Sequence, residues 1–176
     1  TFNDNNNEYT NLASTDATNT SDNTVKYSVV SGNATVDKDT GVVQITGAGT
    51  IVIEATYSGN SQYASASATY TLTVNKASQT ISFEQSTFTL TLGNTFTAPI
   101  ATETGTKYGS GTITYEKVED VNSILQTFDT ATGTFTLSGN VGTATIKASK
   151  PADDNYEAAA ATYTLTGQKK QQTIVF

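Results

Sequence analysis

The sequence predicts an all-β protein made of two tandem antiparallel β-sandwich domains. Large apolar residues alternate with polar residues over short runs, and Gly, Asn and Asp separate these runs. One long stretch of sequence recurs after 93 residues. Alternation places one side of a strand in a core, whereas no segment shows the 3.6-residue period of an amphipathic helix. Short strands, turn residues and a long repeat together predict two sandwich domains.

The internal repeat sets the number of domains. Gly49–Phe83 and Gly142–Phe176 are identical at 17 of 35 positions. Upstream of both, Asp37–Gly41 and Asp129–Gly133 share the pattern Asp-x-x-Thr-Gly. A period near 93 residues fits a sandwich domain of about 100 residues and is too long for a solenoid repeat.

The phase of the repeat predicts the domain boundaries. Residues 1–75 form a first domain whose first strand is largely missing, and residues 76–170 form a second domain. Gln172–Phe176 repeats Gln79–Phe83, the first strand of the second domain. We therefore interpret residues 171–176 as the first strand of a following repeat, and expect the chain to be part of a longer array.

Alternation in the second domain predicts about seven short strands. Each contributes two or three apolar residues to one face, as expected for a strand with one buried side. The predicted faces are Ile81 and Phe83; Phe88, Leu90 and Leu92; Phe96, Ala98 and Ile100; Ile113 and Tyr115; Phe135 and Leu137; Ala144, Ile146 and Ala148; and Ala161, Tyr163 and Leu165.

Composition excludes several functions. The chain has no His, Cys, Met or Trp, and all nine basic residues are Lys. Zinc, copper, haem and iron–sulfur sites therefore lose their usual ligands, and we expect no cofactor. A net charge of −7 disfavours nucleic acid as a partner. No apolar run is long enough for membrane insertion.

Catalysis has few residues to use. Without His or Cys, the usual nucleophile–base pairs cannot form. Nothing in the sequence fixes two carboxylates across a cleft, as glycoside hydrolysis requires. A Lys–Asn isopeptide crosslink needs a buried Lys, and we interpret the lysines as lying at strand ends, in turns or at outward positions such as Lys147. We therefore predict that the chain is not an enzyme.

Both copies carry a pattern of turn and strand residues that resembles bacterial immunoglobulin-like (Big) domains, most closely the repeats of Bacteroidetes surface proteins. In the first copy the pattern consists of Tyr27, Gly41, Ile45, Gly47, Gly49-Thr50, Ala55, Tyr63 and Thr69–Val74, and in the second it consists of Ile113-Thr114-Tyr115, Gly142–Ala148 and Asp153–Tyr156. The resemblance implies an immunoglobulin-like fold at the bacterial cell surface, outside the cell.

Three functions stay open on this basis. The first is a structural stalk or spacer whose partners are neighbouring repeats of the same protein. The second is an adhesin that binds a glycan or a host surface protein through the polar loops Ala13–Asn23 and Ala101–Gly111. The third is a filament subunit, in which Gln172–Phe176 supplies the strand that the first domain lacks.

Three groups of residues are candidate metal-binding or structural positions. Asp153-Asp154-Asn155 forms a weak calcium candidate, for which we favour a solvated turn because no EF-hand spacing is present. Gly41 and Gly133 are interpreted as structural, since Gly supplies the positive φ that a tight turn needs. Tyr63 and Tyr156 are interpreted as packing tyrosines with hydroxyl-to-backbone bonds, comparable to a tyrosine corner, rather than as a platform for stacking sugars.

Overall fold

The computed structural model describes residues 1–2, 7–16, 25–105 and 107–176. Within these residues there are fourteen β-strands and no helix. The predicted all-β class is confirmed.

The chain divides into two compact units, unit one at Thr1–Ala77 and unit two at Ser78–Phe176. The strands of unit one are β1 (Glu8–Thr10), β2 (Lys26–Ser31), β3 (Ala34–Val36), β4 (Val42–Ile45), β5 (Gly49–Tyr57) and β6 (Ala66–Val74). The strands of unit two are β7 (Thr80–Ser82), β8 (Thr87–Thr91), β9 (Thr102–Thr104), β10 (Thr114–Asp120), β11 (Leu125–Phe128), β12 (Phe135–Leu137), β13 (Gly142–Lys150) and β14 (Ala159–Gln168).

Each unit is an immunoglobulin-like sandwich. In unit one the sheets have the strand orders β1-β4-β3 and β2-β5-β6, and all pairs are antiparallel. Unit two has the sheet β10-β13-β14-β8 and the pairs β11-β12 and β7-β9. One pair, β14 with β8, is parallel. The inward side chains of the long strands, such as Ile51 and Ile53 in unit one and Ala144 and Ile146 in unit two, are completely buried.

The two units share the same register between their central strands. Tyr27 on β2 faces Ala55 on β5, and Tyr115 on β10 faces Ala148 on β13. Both strand pairs also contain a register shift a few residues after the tyrosine. A one-residue slip would move every side chain to the opposite face, so the shared register keeps equivalent residues in the core of both units.

The strands of unit two differ from the prediction in two places. Residues 96–100, predicted as a strand face, lie outside any strand, and Ile100 is 63% exposed. The next residue, Ala101, is buried instead, because this segment brings its N–H to the hydroxyl of Tyr115. Strands β9 and β11 were not predicted, since their short, Thr-rich or polar sequences carry little apolar alternation.

A buried tyrosine connects the two sheets in each unit, and we call this arrangement the tyrosine clamp. In unit one the backbone N–H of Ala13 donates to the hydroxyl of Tyr27 over 3.0 Å. In unit two the N–H of Ala101 donates to the hydroxyl of Tyr115 over 3.1 Å. Both tyrosines are nearly inaccessible to solvent. The Tyr115 hydroxyl therefore satisfies the buried N–H of Ala101, which would otherwise lack a partner away from water. The Tyr27 hydroxyl makes the equivalent bond to the exposed residue Ala13.

The Asp-x-x-Thr-Gly turn packs against the ring of the clamp tyrosine. Gly41 and Gly133 both have φ of 72°, which L side chains rarely adopt. A Cβ on Gly41 would lie 2.9 Å from the ring of Tyr27, and a Cβ on Gly133 would lie 2.7 Å from the ring of Tyr115. The turn therefore needs glycine both for its backbone conformation and for the close approach of the ring.

The first residue of each turn caps it. Asp37 Oδ1 accepts the N–H groups of Asp39 and Thr40, and Asp129 Oδ1 accepts those of the two equivalent residues of its own turn. These backbone donors lower the pKa of Asp37 and of Asp129. In unit one the turn is also held by an ion pair, because the Lys26 and Lys38 ammonium groups lower the pKa of Asp39 to about 2.

We predict that Gly133→Ala destabilises the chain more than Gly93→Ala does. Both glycines have positive φ, but a Cβ on Gly93 would meet nothing within 4 Å. Gly93→Ala should therefore cost only the backbone term of about 1–2 kcal/mol. Gly133→Ala adds overpacking against the Tyr115 ring, worth a further ~1–3 kcal/mol. Chemical denaturation measures both, and equal losses would contradict the packing role of the ring.

We predict opposite effects for two buried tyrosine hydroxyls of unit two. Tyr115→Phe leaves the buried N–H of Ala101 without its partner, which costs about 1–3 kcal/mol. The hydroxyl of Tyr163 is buried and has no hydrogen-bond partner within residues 1–2, 7–16, 25–105 and 107–176, and burial raises its pKa. Tyr163→Phe should therefore be neutral or stabilising. Unfolding free energies of the two variants test this, and a larger loss for Tyr163→Phe would refute it.

Candidate functional site

The acidic candidate at Asp153 is a capped turn. Its Oδ1 accepts the N–H groups of Asn155 and Tyr156 at 2.9 and 2.8 Å. Its Oδ2 accepts the N–H of Ser110 at 3.0 Å. Both carboxylate oxygens of Asp153 therefore accept hydrogen bonds from backbone N–H groups. The donors of one lie within the turn, and the donor of the other lies in the neighbouring loop.

Unit one builds the same turn with a neutral side chain. Asn60 Oδ1 accepts the N–H groups of Gln62 and Tyr63, each at 2.8 Å. The turn thus requires a side-chain oxygen and not a negative charge. In the part of the chain that the structure describes, no group of three or more Asp and Glu side chains could hold a metal ion. The geometry gives Asp153 a turn-capping role, and calcium binding at Asp153-Asp154-Asn155 stays an untested hypothesis.

The predicted packing tyrosines lie at the end of these turns. Tyr156 is buried and Tyr63 is partly buried. Their hydroxyl bonds remain a prediction, but a hydroxyl-to-backbone bond of the expected kind is made in both units by the clamp tyrosines, Tyr27 and Tyr115. The sequence analysis did not identify the hydroxyl bonds of Tyr27 and Tyr115. The available signal was that both lie 14 residues after the alanine that they bind.

One lysine is buried, contrary to the expectation that all lysines lie at exposed positions. Lys150, at the end of β13, is 2% exposed. Its ammonium group contacts the carboxylate of Glu103 and the carbonyl of Gly111, and lies 5.5 Å from the ring centre of Tyr108. The strand-end position suggested exposure, but β9 and the loop at residues 107–111 cover the side chain.

A buried glutamine holds the same loop. Gln79 is 8% exposed, and its Nε2 donates to the carbonyls of Pro151 and Glu157 at 3.0 and 2.7 Å. Its Oε1 accepts the N–H of Gly109 at 3.0 Å. Gln79 therefore connects the residue before β7 to two loops of unit two.

In this cluster the Lys150 ammonium group is paired with the Glu103 carboxylate. The partners of the Lys150 ammonium are a glutamate and a backbone carbonyl, so no asparagine is placed there for an isopeptide bond. The charge is satisfied by hydrogen bonds, as a buried charge requires. What the cluster does is fix the loop that presents Tyr108, which is 44% exposed.

The two loops predicted as a binding surface are described unequally. The Ala101–Gly111 segment is described except for residue 106, and it is not a loop throughout, because Thr102–Thr104 form strand β9. The part that follows is held by the contacts of Gln79 with Gly109 and of Lys150 with Gly111. Of the Ala13–Asn23 loop, residues 17–23 lie outside the described residues.

Unit one contains an open groove of about 400 Å³ beside Ala13–Asp16. The opposite wall is Ala66–Ala68, at the start of β6, and the remaining lining residues are Val25, Ala55, Thr56 and Tyr57. We call this cavity the unit-one groove. Its lining combines small apolar residues with polar residues such as Ser14, Asp16 and Thr56.

Tyr70 lies beyond the end of the groove. Among the described residues its buried hydroxyl has no hydrogen-bond partner, and burial raises its pKa. Its ring lies 6.2 Å from the ring of Tyr9. The equivalent residue of unit two is Tyr163, which the Phe83 ring covers at 4.7 Å.

The fold and the repeated frame define this chain as a tandem of immunoglobulin-like sandwich domains. No protein-family model matches the sequence, and no curated protein matches it. Solved structures that are similar include the protocadherin GammaB4 extracellular domain, with 13% identity and a TM-score of 0.41 over 81% of this chain and 28% of that one.

Two further similar structures have low identity as well. Human Protocadherin-24 EC1-2 is 13% identical, with a TM-score of 0.41 over 88% of this chain and 85% of that one. A SusE-like surface-located polysaccharide-binding protein from the Bacteroides thetaiotaomicron heparin utilisation locus is 18% identical, with a TM-score of 0.37 over 82% of this chain and 29% of that one. In the described residues, no helix has the length and apolar character needed to cross a membrane.

We predict that Asp153→Asn preserves the fold and that calcium is dispensable. The asparagine oxygen should accept the same two N–H groups, as Asn60 does in unit one. The substitution replaces the Oδ2 acceptor of the Ser110 N–H with an amide donor, so the melting temperature should fall slightly. EDTA should leave the melting temperature of the unmodified chain unchanged, because only a bound ion would stabilise the folded state by mass action. A large drop in EDTA that is absent in Asp153→Asn would instead establish a calcium site.

We predict that Glu103→Gln costs much more stability than Glu116→Gln. Glu103 is the carboxylate partner of the buried Lys150, so its loss leaves a buried charge and should cost about 3 kcal/mol. Glu116 pairs with the exposed Lys147, and such pairs contribute less than about 1 kcal/mol. Urea unfolding of both variants measures the difference. Equal losses would show that the Lys150 pair has no special role.

Proposed function

We propose that this chain is a non-catalytic extracellular repeat module that acts as a stalk or spacer in a bacterial surface protein. One observation supports this most: the two units repeat the same scaffold contacts residue by residue. The clamp bond, the glycine under the ring, the capped turns and the central register all occur twice.

The ion pairs differ between the two units. The Lys26–Asp39 pair occurs only in unit one, and the buried Lys150–Glu103 pair only in unit two. A spacer requires a stable repeated frame and no repeated site, which is the pattern seen here. The pattern of turns and strands supports assignment to Big-type repeats of Bacteroidetes, with neighbouring repeats as partners.

A second candidate function is an adhesin module that binds glycan or a host surface protein. The observation that favours it is the half-exposed ring of Tyr108, held in place by the Lys150 and Gln79 contacts. An ordered aromatic ring on a polar loop can stack on a sugar face or fill a pocket of a partner.

A glycan array probed with the purified chain distinguishes the two. The spacer proposal predicts no saturable binding to any glycan or to host cells. Saturable binding that is lost in Tyr108→Ala, and retained in the control Val118→Ala at another exposed position, would support the adhesin and contradict the spacer. Binding lost in both variants would point to misfolding, which the melting temperature of each variant reports separately.

A further inference from the structure

We propose that unit two bears tension along the chain and yields to it in two steps. In the first step β7 leaves the sandwich. In the second step the parallel pair of β8 and β14 gives way, after resisting the load in shear. This role rests on the proposed spacer function, because a stalk transmits tension from one repeat to the next.

Tension along the chain enters unit two through β7 and leaves it through β14. Unit two begins at Ser78, and β7 follows directly at Thr80–Ser82. The last strand of the unit is β14, at Ala159–Gln168. Between them the chain passes from the sheet of β7 and β9 to the sheet that contains β8. The load therefore reaches β7 first and β8 next, and β14 holds the opposite end.

The pair of β8 and β14 is loaded in shear. The two strands are parallel and stay in register over five residues. At one end of the ladder the N–H of Thr164 donates to the carbonyl of Ser86, and at the other the N–H of Leu92 donates to the carbonyl of Gln168, each over 2.9 Å. The load enters at the N-terminal end of β8 and leaves at the C-terminal end of β14. It therefore pulls the two strands in opposite directions along their own axes.

Shear distributes the load over the whole ladder. Sliding one strand past the other breaks all the hydrogen bonds between them together, whereas pulling the strands apart from one end breaks these bonds one after another. The inward side chains Leu90 and Leu165 are 3% and 0% exposed, so sliding also exposes apolar surface to water. Both costs fall in a single unfolding barrier, which is the quantity that governs forced unfolding.

β7 is the weaker attachment. It pairs with β9 over three residues, and Ile81 is its one buried side chain. Gln79 adds hydrogen bonds to the carbonyls of Pro151 and Glu157 and from the N–H of Gly109. Because Gln79 lies between the point of loading and β7, its contacts carry the load before the β7 ladder does. Once they break, β7 leaves while β8 keeps its longer ladder.

The two steps differ in length. Release of β7 frees residues 78–86, because β8 begins at Thr87. As an extended chain these residues span at most about 30 Å. Loss of the β8–β14 pair then frees the rest of the unit, so the second step is roughly nine times longer.

Optical tweezers test the direction of loading, with handles on engineered cysteines because the chain has none of its own. The double variant Ser78→Cys with Lys170→Cys is pulled along the chain. The double variant Asn94→Cys with Lys169→Cys is pulled at the ends of β8 and β14 that lie side by side, so the same ladder opens from one end. All four positions are exposed.

Pulling along the chain should give two steps, and the second should need a force several-fold higher than that which opens the ladder from one end. The two attachments load one fold with one set of contacts, so a difference in force reports the direction of loading. Equal forces in the two directions would overturn the shear role of β8 and β14. A single step along the chain would overturn the early release of β7.

A matched pair of variants assigns the first step to β7. Gln79→Ala removes the contacts to Pro151, Glu157 and Gly109, so it should lower the force of the first step and leave that of the second unchanged. The control is Gln85→Ala, the same substitution at an exposed position between β7 and β8, which should change neither force. If Gln79→Ala leaves the first step as it was, or if both variants lower it equally, the two-step account is wrong.

These forces and the glycan array fail independently. Saturable glycan binding would contradict the spacer proposal and leave the difference between the two pulling directions intact. Equal forces in the two directions would remove the tension-bearing role and leave the spacer proposal standing.

Discussion

The tyrosine clamp is the constraint on which the rest of each unit depends. One side chain uses its hydroxyl to hold the backbone of the segment that crosses between sheets, and its ring to hold the Asp-x-x-Thr-Gly turn. Tyr115 thereby fixes Ala101 on one side and Gly133 on the other. Because Ala101 is fixed, the strand that follows, β9, starts at a defined place, and its pairing with β7 follows from that. In unit one the bond between Ala13 and Tyr27 positions the following residues, Ser14–Asp16, beside the groove in the same way.

The fold could be predicted from sequence because its apolar alternation and its glycine turns recur in both copies of the repeat. The alternation of Ala144, Ile146 and Ala148 predicts a buried face, and all three residues are completely buried. The glycines of the two turns could also be predicted, since a positive φ is a local requirement. The Asp153 turn was interpreted in the same way, from the chemistry of short polar side chains with nearby backbone.

The burial and the partners of several side chains could not be predicted from sequence, because they depend on contacts between distant segments. Lys150 lies at the end of a strand, where exposure is the ordinary expectation, but Glu103, 47 residues away, provides its partner. Gln79 begins the predicted first strand of the second domain, but its partners Pro151 and Glu157 are distant in sequence and only the tertiary structure brings them beside it. Ile100 continues an apolar alternation and yet is exposed. In each case tertiary structure overrides the local pattern.

The central claim is that both units are built on one frame, with a tyrosine hydroxyl holding a backbone donor outside any strand. Amide hydrogen exchange measured by NMR tests it most directly. Ala13 and Ala101 belong to no strand, so only the clamp gives their amides a partner. The account predicts slow exchange at both amides, with loss of protection at Ala13 in Tyr27→Phe and at Ala101 in Tyr115→Phe. Exchange at the rate of an unprotected loop in the unmodified chain would contradict it.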